Sequence, residues 1–297
     1  MIERLCIIGV GLIGGSLALA LRKAGMVKEI IGSGRKAENL EYAVKLGAID
    51  RYNLDPSVAV TDADMVVLAV PLGAMGAVMT SIKDHLNEDT VLTDVGSAKV
   101  AVVKAAQKVF GCVPKNLVPA HPIAGHEKSG VNAADGQLFK NKRVILTPAK
   151  DTDPAAISKV RAMWQNTGAN VMEMEVSHHD DILAATSHLP HVLAFALMHA
   201  LANSPQQKEI FRYAAGGLRD FTRIASSDPV MWRDICLSNT GPILEALSGF
   251  RGELDKLEHA IRTQCGDELA DIFMTAGEAR KHFLELLEST KSGSGSD

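Results

Sequence analysis

An apolar run, Leu5-Cys6-Ile7-Ile8, breaks into Gly9-Val10-Gly11-Leu12-Ile13-Gly14 and then into an uninterrupted helical pattern over residues 16–24. A strand that turns through G-x-G-x-x-G into a helix leaves few folds open. Gly9 permits the tight turn, Gly11 lets backbone amides approach a ligand, and Gly14 brings the helix against the strand. The helix N-terminus adds partial positive charge, so the ligand is anionic. In this strand-turn-helix setting the motif predicts a dinucleotide pyrophosphate held by Gly9, Gly11, Leu12, Ile13 and Gly14.

The pattern that follows supports the same architecture. Strands are expected at residues 29–32, 64–70, 90–95, 116–119, 143–147 and 170–174, with helices at 38–46, 76–85, 99–110 and 154–167. Strands alternating with helices of about ten residues imply βαβ crossovers, and so a Rossmann-type doubly wound, mostly parallel α/β sheet. Ligands of such sheets lie beyond the carboxyl ends of the strands. Val70 and Pro71, Gly96-Ser97 and the segment after Pro119 are therefore expected around one cleft, with Val70 and Pro71 beside the cofactor.

From about residue 176 the strand signals stop, and helices are expected at 177–186, 192–203, 205–216, 229–238, 240–266 and 267–289. This divides the chain into a dinucleotide-binding domain, 1–175, an all-α substrate and dimerisation domain, 176–290, and a Ser/Gly-rich disordered tail, 291–297. Ile243, Leu244, Leu247, Phe250, Leu254, Leu257 and Ile261 form an apolar stripe at helical spacing that must be buried. About 120 helical residues offer a limited core of their own, so packing against a second subunit is the expectation.

Composition narrows the partners. The 297 residues are 46% hydrophobic, enough for a sizeable core, and the net charge of −4 without long runs of one sign gives no reason to expect nucleic acid or a membrane. No apolar run approaching a bilayer span is read from the sequence, nor a signal peptide. Cys6, Cys112, Cys236 and Cys265 lie far apart without a C-x-x-C, which reads as buried free thiols in a reducing cytoplasm.

Cofactor choice turns on the end of the second strand. Dinucleotide folds that prefer NAD place an acid about 20 residues past the glycines. Here that region is Gly32-Ser33-Gly34-Arg35-Lys36, with no carboxylate. Ser33 can donate to a 2′-phosphate and Arg35 can pair with it, so NADP is favoured over NAD.

Three further segments carry chemistry. In His121-Pro122-Ile123-Ala124-Gly125-His126-Glu127, a loop histidine at a strand's carboxyl end can act as a general base near neutral pH. In Ser187-His188-Leu189-Pro190-His191 the histidines do not read as metal ligands, because Pro190 breaks the helical spacing such a site needs and no further ligand stands nearby. The neighbouring His178-His179-Asp180-Asp181 reads as the first turn of a helix. In Gly217-Leu218-Arg219-Asp220-Phe221-Thr222-Arg223 the two arginines share one face if the segment is helical, and can bind two carboxylates or one diacid; a salt bridge to Asp220 or Asp228 is the plainer alternative.

The ordered set GVGLIGGS, DVGSAK, HPIAGHEKSG, TSHLPH and GLRDFTRIA, with Trp232 beyond, closely resembles the prephenate/arogenate (cyclohexadienyl) dehydrogenases of tyrosine biosynthesis over essentially the whole chain. The resemblance implies a Rossmann domain, a helical dimerisation domain and an active site between them. It implies His121 as the catalytic histidine and Ser97 as the serine sharing the substrate hydroxyl's hydrogen bonds. It further implies Arg223 as the substrate anchor, His191 at the pyruvyl end, and Glu127, Arg219 and Trp232 on the pocket wall. The cofactor is NAD(P), no metal is implied, and the substrate is prephenate or arogenate. Two other classes are a hydroxyacid or imine-reducing dehydrogenase, for which Lys208 is the best-placed lysine but lacks a motif, and a silent dinucleotide sensor, against which His121 argues.

Overall fold

The computed structural model describes residues 1–126 and 128–292. Glu127 and residues 293–297 of the expected tail lie outside the described residues, while 291 and 292, expected in that tail, continue the last helix. Six strands, β1 (Ile2–Ile8), β2 (Val27–Ser33), β3 (Arg51–Asn53), β4 (Met65–Leu68), β5 (Val91–Asp94) and β6 (Leu117–Val118), form one sheet in the order β3-β2-β1-β4-β5-β6. All five pairings are parallel. The crossovers carry α1 (Leu12–Lys23), α2 (Ala37–Lys45), α3 (Pro56–Ala59), α4 (Leu72–Ile82) and α5 (Lys99–Phe110). This is the doubly wound order that reverses between β1 and β4, where a crevice opens at the strands' carboxyl ends.

Helices cover both faces, so the central strands are apolar without interruption. Alternate side chains enter different cores: Leu5, Ile7, Met65 and Val67 join one cluster, and Cys6, Ile8, Val66 and Leu68 the other. Burial pushes the Cys6 thiol up to about 12. Cys112 and Cys265, expected to be buried, are exposed. Both stand just past helix ends, after Phe110 and Arg262, where little of the fold covers them.

After β6 the chain leaves this sheet. β7 (Ala120–Pro122), β8 (Arg143–Leu146) and β9 (Asn170–Glu173) form a second sheet, with β7 antiparallel to β8 and β8 parallel to β9. His121 is therefore a strand residue in register with Ile145, not a loop residue. The pairing partner lies 24 positions along the chain, so local pattern could not show it. α6 (Pro154–Gln165) enters on an Asp153 cap, whose carboxylate accepts from the Ala155 amide at 2.9 Å, and buries Trp164 edge-on against Phe139.

Beyond Glu173 all described elements are helical: α7 (Val176–Leu183), a π-turn at Ala184–His188, α8 (Leu189–Ala202), α9 (Gln207–Tyr213), α10 (Gly216–Thr222), a 3-10 turn at Arg223–Ser226, α11 (Pro229–Ser238), α12 (Thr240–Arg262) and α13 (Gly266–Ser292). The change of element type falls at 175/176, yet the first compact unit continues to Ile243. Two buried carboxylates explain the continuity. Asp180 of α7 accepts from the Lys99 and Val100 amides of α5, at 2.7 and 2.9 Å, and Asp234 of α11 accepts from the Gly73 amide of α4 at 3.3 Å. Each sits at a helix N-terminus, where unpaired amides and the helix dipole favour an anion.

Pro190 does not interrupt the second histidine segment. It directly follows the π-turn at Ala184–His188, where the Leu189 amide already reaches back five residues to Ala184 and the regular ladder is interrupted, so Val176–Ala202 runs as one helical rod of 27 residues. By length and composition that rod could cross a bilayer, with a mean hydropathy of 1.3 over its most apolar window. This corrects the expectation that no such run exists. The second unit, Leu244–Asp297, carries most of α12 and all of α13. Leu244, Leu254 and Ile261 of the expected buried stripe are exposed, as are Phe273, Met274, Phe283 and Leu286 of α13.

Candidate active site

The glycine turn is stereochemically obligatory at two of its three positions. Gly9 has φ +100°, and a Cβ there would stand 2.4 Å from the Ala69 carbonyl oxygen of the chain leaving β4. A Cβ on Gly14 would stand 2.4 Å from the Gly9 oxygen and 2.9 Å from Ile7. Gly11 faces open space, with nothing within 4 Å of that point. The Gly15 amide is the first to close onto the turn, at 2.8 Å from the Gly11 oxygen, which leaves the amides of Leu12, Ile13 and Gly14 at the open head of α1. Room above Gly11 and exposed amides beneath it fit a dinucleotide pyrophosphate.

The neighbouring strand ends complete the crevice. The Gly9 amide donates to the Ser33 carbonyl at 2.8 Å, tying the turn to the end of β2; Ser33 is buried and Arg35 is exposed beyond it. Val70 is half-buried and Pro71 is the N-cap of α4.

The carboxyl ends of β5 and β7 carry a buried polar network. Asp94, the last residue of β5, accepts from the Gly96 amide at 2.7 Å, the Ala120 amide at 3.2 Å and the Lys99 ammonium at 2.5 Å. The ammonium also donates to the Ala120 carbonyl at 2.8 Å. Lys99 is wholly buried, and that burial pulls it below the usual lysine range against the attraction of Asp94. The pair clamps β7 to β5 beside His121 and brackets the half-buried Ser97 on the intervening loop.

His121 is 8% exposed and its Nδ1 lies 2.9 Å from Nε2 of His179. The two rings meet edge to face at 5.1 Å. His179 in turn places Nδ1 2.8 Å from the Asp180 carboxylate. Burial drives His121 well below the usual imidazole range, and the charges of His179, Lys99 and His188 push the same way. His179 and Asp180 were read from sequence as an ordinary helix start. Their role depends on α7 docking against β7 and α5, and the one local signal was a His-Asp pair facing a catalytic-histidine segment from elsewhere in the chain.

A second histidine group follows through α11. Asn239 donates to the Asp180 carbonyl at 2.8 Å and meets Nδ1 of His188 at 3.1 Å. His188 is also lowered, to about 4, by burial first and by His179 and His191 further. Trp232, 7% exposed, stacks on His191 at 3.8 Å and stands edge-on to His188 at 6.1 Å. The His191 Nδ1–H donates to the Ser187 carbonyl at 2.9 Å. His191 is lowered by burial, and the Arg223 guanidinium adds to that shift. A continuous series of contacts thus leads from His121 to the neighbourhood of Arg223. His188 closes the π-turn at Ala184–His188 and His191 lies in the first turn of α8, and both rings meet Trp232.

The two arginines do not share one helix, since α10 ends at Thr222 and Arg223 opens the 3-10 turn. Both nevertheless line a cavity of about 640 Å³ together with Phe195, Met198, Phe211 and Thr222. Arg219 itself pairs with Asp220 at 3.3 Å on the surface.

A sheet of this order, a glycine turn open to a pyrophosphate and a buried imidazole at the same carboxyl edge define a dinucleotide-dependent oxidoreductase. The sequence comparisons narrow the class. The model of the prephenate dehydrogenase nucleotide-binding domain matches residues 17–173, and that of the prephenate dehydrogenase dimerization domain matches 175–275. The cyclohexadienyl dehydrogenase of Zymomonas mobilis is 38% identical over 94% of this chain and 95% of its own length. Among solved structures, prephenate dehydrogenase from Aquifex aeolicus, in complex with hydroxyphenyl propionate and NAD+, superposes with a TM-score of 0.88 at 36% identity, covering 95% of this chain and 99% of that one. Synechocystis arogenate dehydrogenase follows with a TM-score of 0.79 at 28% identity, covering 95% and 100%. The chain belongs to the prephenate dehydrogenase family.

Proposed function

We propose that this protein oxidatively decarboxylates a cyclohexadienyl acid, prephenate or arogenate, with His121 as the general base. The observation that carries the reading is the buried His121 at the carboxyl edge, whose lowered proton affinity keeps it unprotonated at neutral pH. A neutral imidazole accepts the proton of the ring hydroxyl as the carbon bearing it is oxidised. Bound NAD(P) supplies the hydride acceptor. Loss of CO₂ from the opposite ring carbon makes the ring aromatic, which drives the reaction, so the protein's contribution is positioning and proton transfer.

Ser97, on the loop bracketed by the Asp94–Lys99 clamp, orients the hydroxyl toward His121. Arg223 anchors a substrate carboxylate and His191, stacked on Trp232, meets the side-chain end. Arg219 and Trp232 shape the wall. Glu127, assigned to the same wall by the family pattern, lies outside the described residues. The cofactor contacts are Gly9, Gly11, Leu12, Ile13, Gly14, Val70 and Pro71, with Ser33 and Arg35 at the adenosine ribose. Arg35 is exposed where a 2′-phosphate is expected and no acid repels it, which supports NADP over NAD.

Exposed apolar side chains along α12 and α13 support a homodimer formed through the helical half, in keeping with the dimerization-domain match. Reduction of NAD and of NADP, each with prephenate and with arogenate, tests the assignment: activity with neither acid overturns it, and a higher kcat/KM with NAD overturns the cofactor preference. Sedimentation at micromolar concentration tests the dimer.

A further inference from the structure

We infer that His179 and Asp180 are positioning residues for the proton transfer: they hold His121 in the Nδ1–H tautomer, leaving its Nε2 lone pair for the substrate, and share the positive charge that the transfer creates. The inference rests on the assignment of His121 as base.

The argument is a count of hydrogens. Asp180 Oδ1 accepts from the Lys99 amide and Oδ2 from the Val100 amide, at 2.7 and 2.9 Å. Backbone amides can only donate, so the carboxylate is committed as an acceptor and the 2.8 Å contact to His179 Nδ1 takes its hydrogen from the imidazole. A neutral His179 with hydrogen on Nδ1 has a bare lone pair on Nε2. The 2.9 Å contact between that nitrogen and His121 Nδ1 then requires the hydrogen to stand on His121. Nε2 of His121 is left as the basic nitrogen. Reversing His179 would put two acceptors face to face at Asp180.

The same chain handles the product of the step. When the substrate O–H bond breaks and the N–H bond forms at His121 Nε2, the ring becomes an imidazolium that charge on His179, Lys99 or His188 disfavours, so His179 serves it only as a neutral acceptor. Its Nδ1–H bond points at His179, which faces the Asp180 carboxylate across the other ring nitrogen. The positive charge is therefore drawn away from Lys99 and His188 toward the one anion directly in line. Asp94, the buried carboxylate at the end of β5, is already engaged by Lys99. Orienting a base through a second group that is itself held by an anion follows the logic of catalytic triads, here with an imidazole inserted between base and carboxylate.

The test is a pair of measurements on the full-length protein. Nitrogen-15 spectra of histidine-labelled protein, with His121 assigned by its loss in H121N, are expected to show the Nδ1–H tautomer for His121 in the resting enzyme. In His179→Phe the tautomer shifts toward Nε2–H, kcat falls tenfold or more with KM within twofold, and the acid limb of kcat moves to lower pH because the His121 imidazolium loses the acceptor that passes its charge toward Asp180. His179→Gln, which keeps an acceptor for the His121 Nδ1–H, recovers part of kcat and the wild-type tautomer. A wild-type His121 in the Nε2–H tautomer overturns the inference whatever the variants do, and so does a folded His179→Phe enzyme with wild-type kcat and an unmoved acid limb. If His179→Phe does not fold, the wild-type spectrum and His179→Gln decide. Failure of the proposed activity is seen separately, as absence of turnover in the wild type with an intact His121 signal.

Discussion

His188 makes the fold itself acid-sensitive, by an amount that can be worked out. Its imidazole is nearly inaccessible, its Nδ1 is taken by Asn239, and burial lowers it from the ordinary value to about 4. In the unfolded chain a histidine titrates near 6.5. Between those values the unfolded state takes up a proton that the native state refuses, so this contribution to stability is fully present above about pH 6.5 and is lost as the pH falls toward 4. Each pH unit costs about 1.4 kcal/mol, so the descent from pH 7 to pH 4.5 removes about 2 kcal/mol through this residue alone. His188→Asn abolishes the titration while keeping an acceptor for Asn239. Its stability at pH 7 is lower, because the ring no longer packs edge-on to Trp232. The informative quantity is the change with pH: urea unfolding at pH 7 and 4.5 is expected to show the wild type losing about 2 kcal/mol more than the variant. Equal losses in the two proteins refute the burial argument.

Three further outcomes follow from the site. His121→Asn is expected to lower kcat about 100-fold or more with little change in KM, in initial-rate assays with the preferred acid and cofactor. Arg223→Ala is expected to raise KM for the substrate at least tenfold while leaving most of kcat; unchanged affinity removes Arg223 from the anchoring role. Lys99→Met leaves Asp94 buried without its cation, and a loss of about 3 to 5 kcal/mol in chemical unfolding is expected, with β7 and His121 loosened in hydrogen exchange.

Much of this protein is written locally. The turn at Gly9 needs a positive φ, the buried strands beside it read as unbroken apolar runs, and proline and glycine mark the ends of its helices, so the Rossmann half and the place of the cofactor follow from short stretches of chain. His121, Ser97, His191 and Arg223 were singled out because they sit in strings that resemble those of a known family. Other features exist only in three dimensions. β7 pairs with a strand 24 residues away, which turns an expected loop histidine into a rigid one. Asp180 reaches across 81 positions to cap α5, and that single docking event converts His179 from the first turn of a helix into the partner of His121. Pro190 was read as a breaker because its position within the helix, first turn or interior, depends on where the π-turn before it ends. Chain stereochemistry, acting over a few residues, determined the scaffold and the dinucleotide turn. Only packing between distant segments decided which buried groups share a proton, because burial and hydrogen-bond partners are properties of the folded surroundings and not of the residue that titrates.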